Sequence, residues 1–284
     1  MLDTPELADN LYEAMLARDM PGMADVDSSL YLFCKNLKNS ASIALSGECS
    51  DEIFGGYPWF FREDALNSNT FPWSIAIPER QNLLLDNLQN KINLKEYIDY
   101  RYNESLSEVD ILNNDSKETA LRRKISHLTF NWFMQTLLDR SDRMATATDL
   151  EIRVPFCDYR LIQYVWNIPW KLKALNGREK GLLRYISKKL LPELIVDRKK
   201  SPYPKTHNPT YLAKIKEMLR NIINNKNAPI NDLLNQKYIL EILDTDGKSF
   251  TKPWFGQLMT GPQLMAYICQ INMWLEEYSP IIEI

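Results

Sequence analysis

The stretch Ser42-Ile43-Ala44-Leu45-Ser46-Gly47-Glu48-Cys49-Ser50-Asp51-Glu52-Ile53-Phe54-Gly55-Gly56-Tyr57 decides the fold class. Its short apolar run, flanked by polar residues and cut off by Ser46-Gly47, has the length of a buried strand rather than of a helix. Three carboxylates, Glu48, Asp51 and Glu52, then lead into a short helix. The carboxyl end of a parallel strand is where open α/β folds place their ligands. Gly47 admits a ligand close to the backbone, and Gly55-Gly56 lets the helix stop or pack tightly. Carboxylates repel phosphate, so a nucleotide at this turn needs Mg²⁺ as a bridge. The same acidic run also suits a solvated helix N-terminus favoured by the macrodipole.

Outward from this turn the chain reads as helix after helix. Leu7, Leu11 and Met15 mark one helical face before the break at Met20-Pro21-Gly22, and Leu30, Phe33, Cys34 and Leu37 mark a second. Asn67 to Thr70 and Asn113 to Ser116 read as loops, and residues 63 to 118 carry no clear period. Beyond them, helical spacing recurs at Leu121, Ile125, Leu128 and Trp132, and at Leu183, Ile186 and Leu190. It recurs again at Leu212, Ile215, Leu219 and Ile222, and from Pro262 through Leu264, Ile268, Ile271 and Leu275. Trp132, Phe133 and Trp274 are core residues by the same spacing. The fold class is α/β and strongly helix-rich. The strand at Ile43 to Leu45 stands alone, so either weaker strands of this chain pair with it or, as the reading below favours, its sheet partners lie outside the chain.

Composition excludes several classes of function. The 284 residues hold 34 Lys and Arg against 37 Asp and Glu, a net charge of −3, so nothing electrostatic points to a nucleic acid or an anionic membrane. Charges interrupt every apolar run before the ~18 residues needed to span a bilayer. Met1 to Glu6 lack the basic and apolar regions of a signal peptide, so the expected location is cytoplasmic, with reduced thiols. Cys34, Cys49, Cys157 and Cys269 form no C-x-x-C pair, which argues against structural zinc. With only His127 and His207, a histidine-rich metal centre is excluded; a Cys–His nucleophilic pair stays open, because such partners meet in space.

Ser46-Gly47-Glu48-Cys49-Ser50-Asp51-Glu52 and Phe54-Gly55-Gly56-Tyr57 resemble the Ser-Gly-Glu-x-x-Asp-Glu signature of the glutamine-dependent asparagine synthetase family. Further blocks match in collinear order: Met20 to Ser29, Glu151-Ile152-Arg153-Val154-Pro155-Phe156-Cys157-Asp158, the basic run Arg198 to Lys205, and Pro262-Gln263-Leu264 onward. The resemblance implies an adenine-nucleotide alpha-hydrolase-like (ATP pyrophosphatase) fold. It also implies ATP-dependent amidation of L-aspartate through β-aspartyl-AMP, with release of pyrophosphate and AMP. The expected cofactors are ATP and Mg²⁺, and the small-molecule partners are aspartate and ammonia, drawn from glutamine in the complete enzyme. By this resemblance Ser46 and Gly47 match the ATP-contacting pair, Asp51 a Mg²⁺ ligand, and Lys200 the basic-loop lysine facing the phosphates. Glu48 matches the carboxylate of acyl-adenylate formation and amidation, either orienting the amino group of aspartate or taking a proton from ammonia. The blocks Asp139 to Arg143 and Glu151 to Arg153 read as ion-pair networks bordering the site. Cys49 and Cys157 read as small apolar fillers, and His207 as a loop anchor.

The family's phosphate loop, Ser-Gly-Gly-x-Asp-Ser, does not occur in the sequence; Asp25-Val26-Asp27-Ser28-Ser29 lacks its paired glycines. Residues 1–284 are therefore expected to be the C-terminal part of a synthetase domain, without the loop and the glutaminase domain, and inactive alone. An unpaired strand flank would favour a homo-oligomer. The alternatives are a β-lactam-forming or peptide-cyclising enzyme that uses the same acyl-adenylate, or a non-catalytic scaffold remnant.

Overall fold

The computed structural model describes residues 4–199, 208–256 and 259–283. The N-terminal helical face is divided between α1 (Thr4–Asp9) and α2 (Leu11–Arg18), and α2 buries Leu11, Ala14 and Met15. Helix α3 (Asp25–Lys38) turns Leu30 and Cys34 inward, while Phe33, assigned by its spacing to the same face, stands 53% exposed. The helix uses a narrower stripe than the sequence pattern offered.

Strand β1 (Ile43–Leu45) forms where its composition predicts, and two expectations about it are corrected. Its partner lies in this chain: β2 (Glu151–Arg153) pairs with it in parallel, Ile43 opposite Glu151 and Leu45 opposite Arg153. Nor is it buried, since Leu45 is 75% and Ile43 44% exposed. Side chains alternate across a strand, so only Ala44 and Ile152 face the cluster of Ala14, Leu30, Cys34, Met144 and Leu150. Glu151 and Arg153, read as part of an ion-pair network, do pair at 2.7 Å, but at i, i+2 on one face of the strand. One apolar residue between two charges gives no strand signal.

Residues 50 to 107 resolve into helices α4 (Ser50–Phe54), α5 (Glu63–Leu66), α6 (Ile77–Gln81), α7 (Asp86–Lys91) and α8 (Leu94–Ser107). Aromatic packing rather than periodicity organises the region. Trp59, Phe60, Phe71, Trp73 and Phe133 are all buried in one cluster, with Tyr57 stacked on Trp59 at 4.3 Å. Helices α9 (Lys117–Leu128) and α10 (Gln135–Thr146) are joined without a break by a π-helical turn, Thr129–Met134.

After β2 come α11 (Tyr159–Trp166), α12 (Trp170–Lys173), α13 (Gly181–Ser187) and α14 (Glu193–Val196). Helix α13 stops at Ser187, short of the predicted Leu190, which is 81% exposed. Helices α15 (Pro209–Asn224), α16 (Gln236–Asp244) and α17 (Gly261–Tyr278) follow. Tyr211, Ile215 and Leu219 of α15 meet Leu264, Met265 and Ile268 of α17 in the largest core cluster. Each such side chain taken out of water contributes roughly 1.5–3 kcal/mol. Trp274, expected in the core, packs against this cluster only partly buried, its Nε1–H donating to the Asp19 carbonyl at 2.9 Å. No described helix is long and apolar enough to cross a membrane.

Candidate functional site

The site is built on the turn that leaves β1. The Ser46 amide donates to the Arg153 carbonyl at 2.8 Å, extending the parallel ladder by one residue. The Ser46 hydroxyl accepts the Glu48 amide at 3.2 Å, and Ser50 Oγ donates to the Gly47 carbonyl at 2.8 Å. A Cβ added at Gly47 would meet nothing within 4 Å, so this backbone is open to a ligand, as its sequence position suggests. Cys49 caps α4 with φ +70°, a left-handed conformation that costs an L-residue roughly 1–2 kcal/mol. Its thiol is buried against Cys157, and that burial pushes its pKa up, which suits a filler rather than a nucleophile. His127 is engaged with Asn131 at 2.9 Å and Glu108 at 3.6 Å, and His207 lies outside the described residues.

Helix α10 fixes Glu48. Arg140 Nη2 lies 3.2 Å from Glu48 Oε1, and Ser141 Oγ donates to Oε2. The Arg140 side chain is 7% exposed and that of Glu48 23%, so the guanidinium is inside and the carboxylate sits at the edge of solvent. Asp139 does form the expected network, with Arg143 at 3.3 Å and Arg18 at 3.4 Å. Arg140 and Ser141 instead bind the candidate catalytic carboxylate directly, which the sequence reading missed. A signal was present: Arg140 falls on the stripe of Leu137 and Met144 at i−3 and i+4, where a charge is costly unless a partner waits.

The residue that leads into α13 supplies the second contact. Lys180 Nζ lies 3.1 Å from Asp51 Oδ1 and donates to Ser50 Oγ at 3.1 Å. No local pattern in the sequence marks Lys180. Glu52 is buried and accepts the Tyr57 hydroxyl at 2.7 Å; burial first, and then this carboxylate, push the tyrosine's pKa up. Beside Asp51 and Lys180 opens a cleft of about 380 Å³, lined also by Arg184, Arg198 and Lys199. Lys200 lies outside the described residues.

Gly55 and Gly56 do what their pairing suggests. Gly55 closes α4 at φ +70°, with the Trp170 ring 2.5 Å from where a Cβ would stand, and a Cβ on Gly56 would run into the Asp51 carboxylate. Among the described residues no three His, Cys, Asp or Glu side chains are grouped to hold a metal. Mg²⁺ needs no such group, because it takes one or two carboxylates and completes its shell with phosphate oxygens and water. Asp51 fits as one such ligand. The turn thus brings together Ser46, Gly47, Glu48 and Asp51, adding Arg140, Ser141 and Lys180: an oriented acceptor carboxylate beside a cation-lined cleft.

The family profile described as Asparagine synthase matches residues 1–276. The chain is 49% identical over 278 residues to asparagine synthetase [glutamine-hydrolyzing] 3 of Bacillus subtilis (strain 168), covering 98% of this chain and 45% of that protein. It is 28% identical over 245 residues to asparagine synthetase [glutamine-hydrolyzing] 1 of the same organism, covering 76% and 38%. A 67-residue segment is 42% identical to the asparagine synthetase [glutamine-hydrolyzing] of Gallus gallus. The chain therefore spans less than half the length of the curated relatives it matches.

Proposed function

The chain belongs to the asparagine synthase family, and from that membership we propose that it is the part of an ATP-dependent asparagine synthetase that holds aspartate and neutralises the nucleotide's phosphates. The observation that carries this reading is Glu48, clamped by buried Arg140 and Ser141 one turn from the Lys180–Asp51 pair. The side-chain carboxylate of aspartate attacks the α-phosphorus of ATP and pyrophosphate leaves; ammonia then attacks the acyl carbon and AMP leaves. Both steps are governed by positioning and charge neutralisation.

Glu48, held as an acceptor, receives the amino group of aspartate or a proton of the attacking ammonia. Ser46 and Gly47 offer backbone to ATP at the open end of the ladder. Lys180 supplies a cation toward the phosphates, the role that the family resemblance implies for Lys200, and Arg198 and Lys199 line the same cleft. Asp51 would hold Mg²⁺, whose chemistry is to neutralise phosphate charge. Residues 1–284 form a C-terminal part of the synthetase domain with adenine-nucleotide alpha-hydrolase topology. The Ser-Gly-Gly-x-Asp-Ser loop that completes the phosphate site is supplied outside this sequence, so turnover by the chain alone is negligible.

The test is pyrophosphate release with ATP, Mg²⁺, aspartate and ammonia, by this chain and by a polypeptide that also carries the phosphate loop. Activity is expected only in the second, and Glu48→Gln or Lys180→Met should each lower it by about 10²-fold or more. Undiminished turnover in both variants would overturn the assignment of these residues.

A further inference from the structure

A second pocket, sharing no lining residue with the Asp51 cleft, lies between α9 and the segment Trp166 to Lys173 and has a volume of about 360 Å³. Arg122, Arg123, Lys171 and Lys173 line it, with Glu118 as the one lining carboxylate. The two arginines are engaged. The Arg122 guanidinium donates to the Phe60 carbonyl, lies 4.3 Å over the Trp170 ring and reaches Glu118 at 3.7 Å. Arg123 Nε meets Asp115 at 2.8 Å. Lys173 is different: it is 6% exposed, and its ammonium has no hydrogen-bond or ion-pair partner among the described residues. A desolvated ammonium costs several kcal/mol unless an anion meets it. Burial, and then the nearby Arg123 guanidinium, push the Lys173 pKa down to about 8.

We propose that this pocket binds a small oxyanion, a phosphate or carboxylate group, through Lys173 and Arg123, with Trp166 and Trp170 flanking the body that carries it. The proposal stands apart from the asparagine synthetase reading. The indole walls and the volume suit an organic anion over a bare ion, whereas the charged end is recognised as an oxyanion whether it is phosphate or carboxylate.

The test labels lysines in the intact chain with an N-hydroxysuccinimide ester at pH 8 and constant ionic strength, and reads each site by mass spectrometry. Inorganic phosphate and malonate are the two probes. One or both should slow modification of Lys173 saturably, about tenfold at ten times the midpoint concentration, and leave Lys237 of α16, exposed and outside this pocket, unchanged. The same protection should persist in Lys180→Met, which removes one cation of the other cleft. Thermal stabilisation by the protecting anion should vanish in Lys173→Met, a variant relieved of a buried charge and so expected to fold. Phosphate protection alone would assign the site to phosphates, and malonate protection alone to carboxylates. No protection by either, protection equal at Lys237, or stabilisation undiminished in Lys173→Met would overturn the proposal.

Discussion

Replacing Glu48 by glutamine keeps the side chain's shape, removes its charge and turns one of its two acceptor oxygens into a donor. The pair it belongs to is asymmetric: the Arg140 side chain is 7% exposed and that of Glu48 23%. Without the carboxylate, the guanidinium remains inside with no compensating charge. Breaking a buried pair in this way costs about 3–5 kcal/mol, and the partial exposure of Glu48 reduces that to about 2 kcal/mol here. The reciprocal change, Arg140→Met, substitutes an apolar chain of similar length. It leaves a carboxylate that keeps the Ser141 hydrogen bond and can recruit water, so its expected cost is about 1 kcal/mol or less. The double variant should be more stable than Glu48→Gln alone, because the stranded cation is gone. Urea unfolding followed by far-ultraviolet circular dichroism at pH 7 gives all three values from one titration series. An Arg140→Met cost equal to or above that of Glu48→Gln would refute the asymmetry argument. So would a double variant additive to within about 0.5 kcal/mol, which would mean the two groups do not interact.

Gly55→Ala should destabilise by about 2–4 kcal/mol, combining a left-handed backbone with a Cβ pressed into Trp170; a loss under 1 kcal/mol in urea unfolding would contradict that geometry. Lys173 has its folded pKa lowered to about 8 against about 10.4 in the unfolded chain. Between those values the unfolded chain holds a proton that the folded chain lacks, so stability rises with pH across this window. The penalty below pH 8 is on the order of 3 kcal/mol. In chloride buffer, Lys173→Met should therefore exceed the native chain in stability most at pH 7 and by much less at pH 10, and a pH-independent gap in urea unfolding would refute this. Leu45→Lys should shift stability by less than about 0.5 kcal/mol, because Leu45 is 75% exposed. The same change should lower self-association in sedimentation velocity if the bare strand flank drives it.

What the sequence disclosed followed from how local each signal was. An apolar triplet cut off by Ser46-Gly47 marks β1 and its carboxyl end without reference to the rest of the chain. Helices α15 and α17 were legible because Ile215, Leu219, Leu264 and Ile268 repeat at helical spacing and fill one core. Strand β2 was not, since Ile152 is its only apolar residue and its pairing is set by a distant segment. The region around Trp59, Phe71 and Trp73 was opaque for another reason: large rings fill a core from loops and short helices, where no period exists to read. At the site, Ser46 to Asp51 lie in one turn and could be found together. Arg140 and Lys180 reach it from α10 and α13, and only the packing of those helices brings them there.

The clamp on Glu48 also imposes an order in time. Glu48 and Arg140 are 92 residues apart in sequence, and closing a flexible loop of that length costs about 4 kcal/mol of chain entropy before the contact returns anything. On a ribosome adding roughly 5–20 residues per second, the carboxylate waits some 5–20 s for its guanidinium to be made. The turn after β1 is thus complete in sequence long before it is complete in chemistry. Arrival of α10 and β2, rather than formation of the turn itself, becomes the event that converts a short acidic loop into an oriented site.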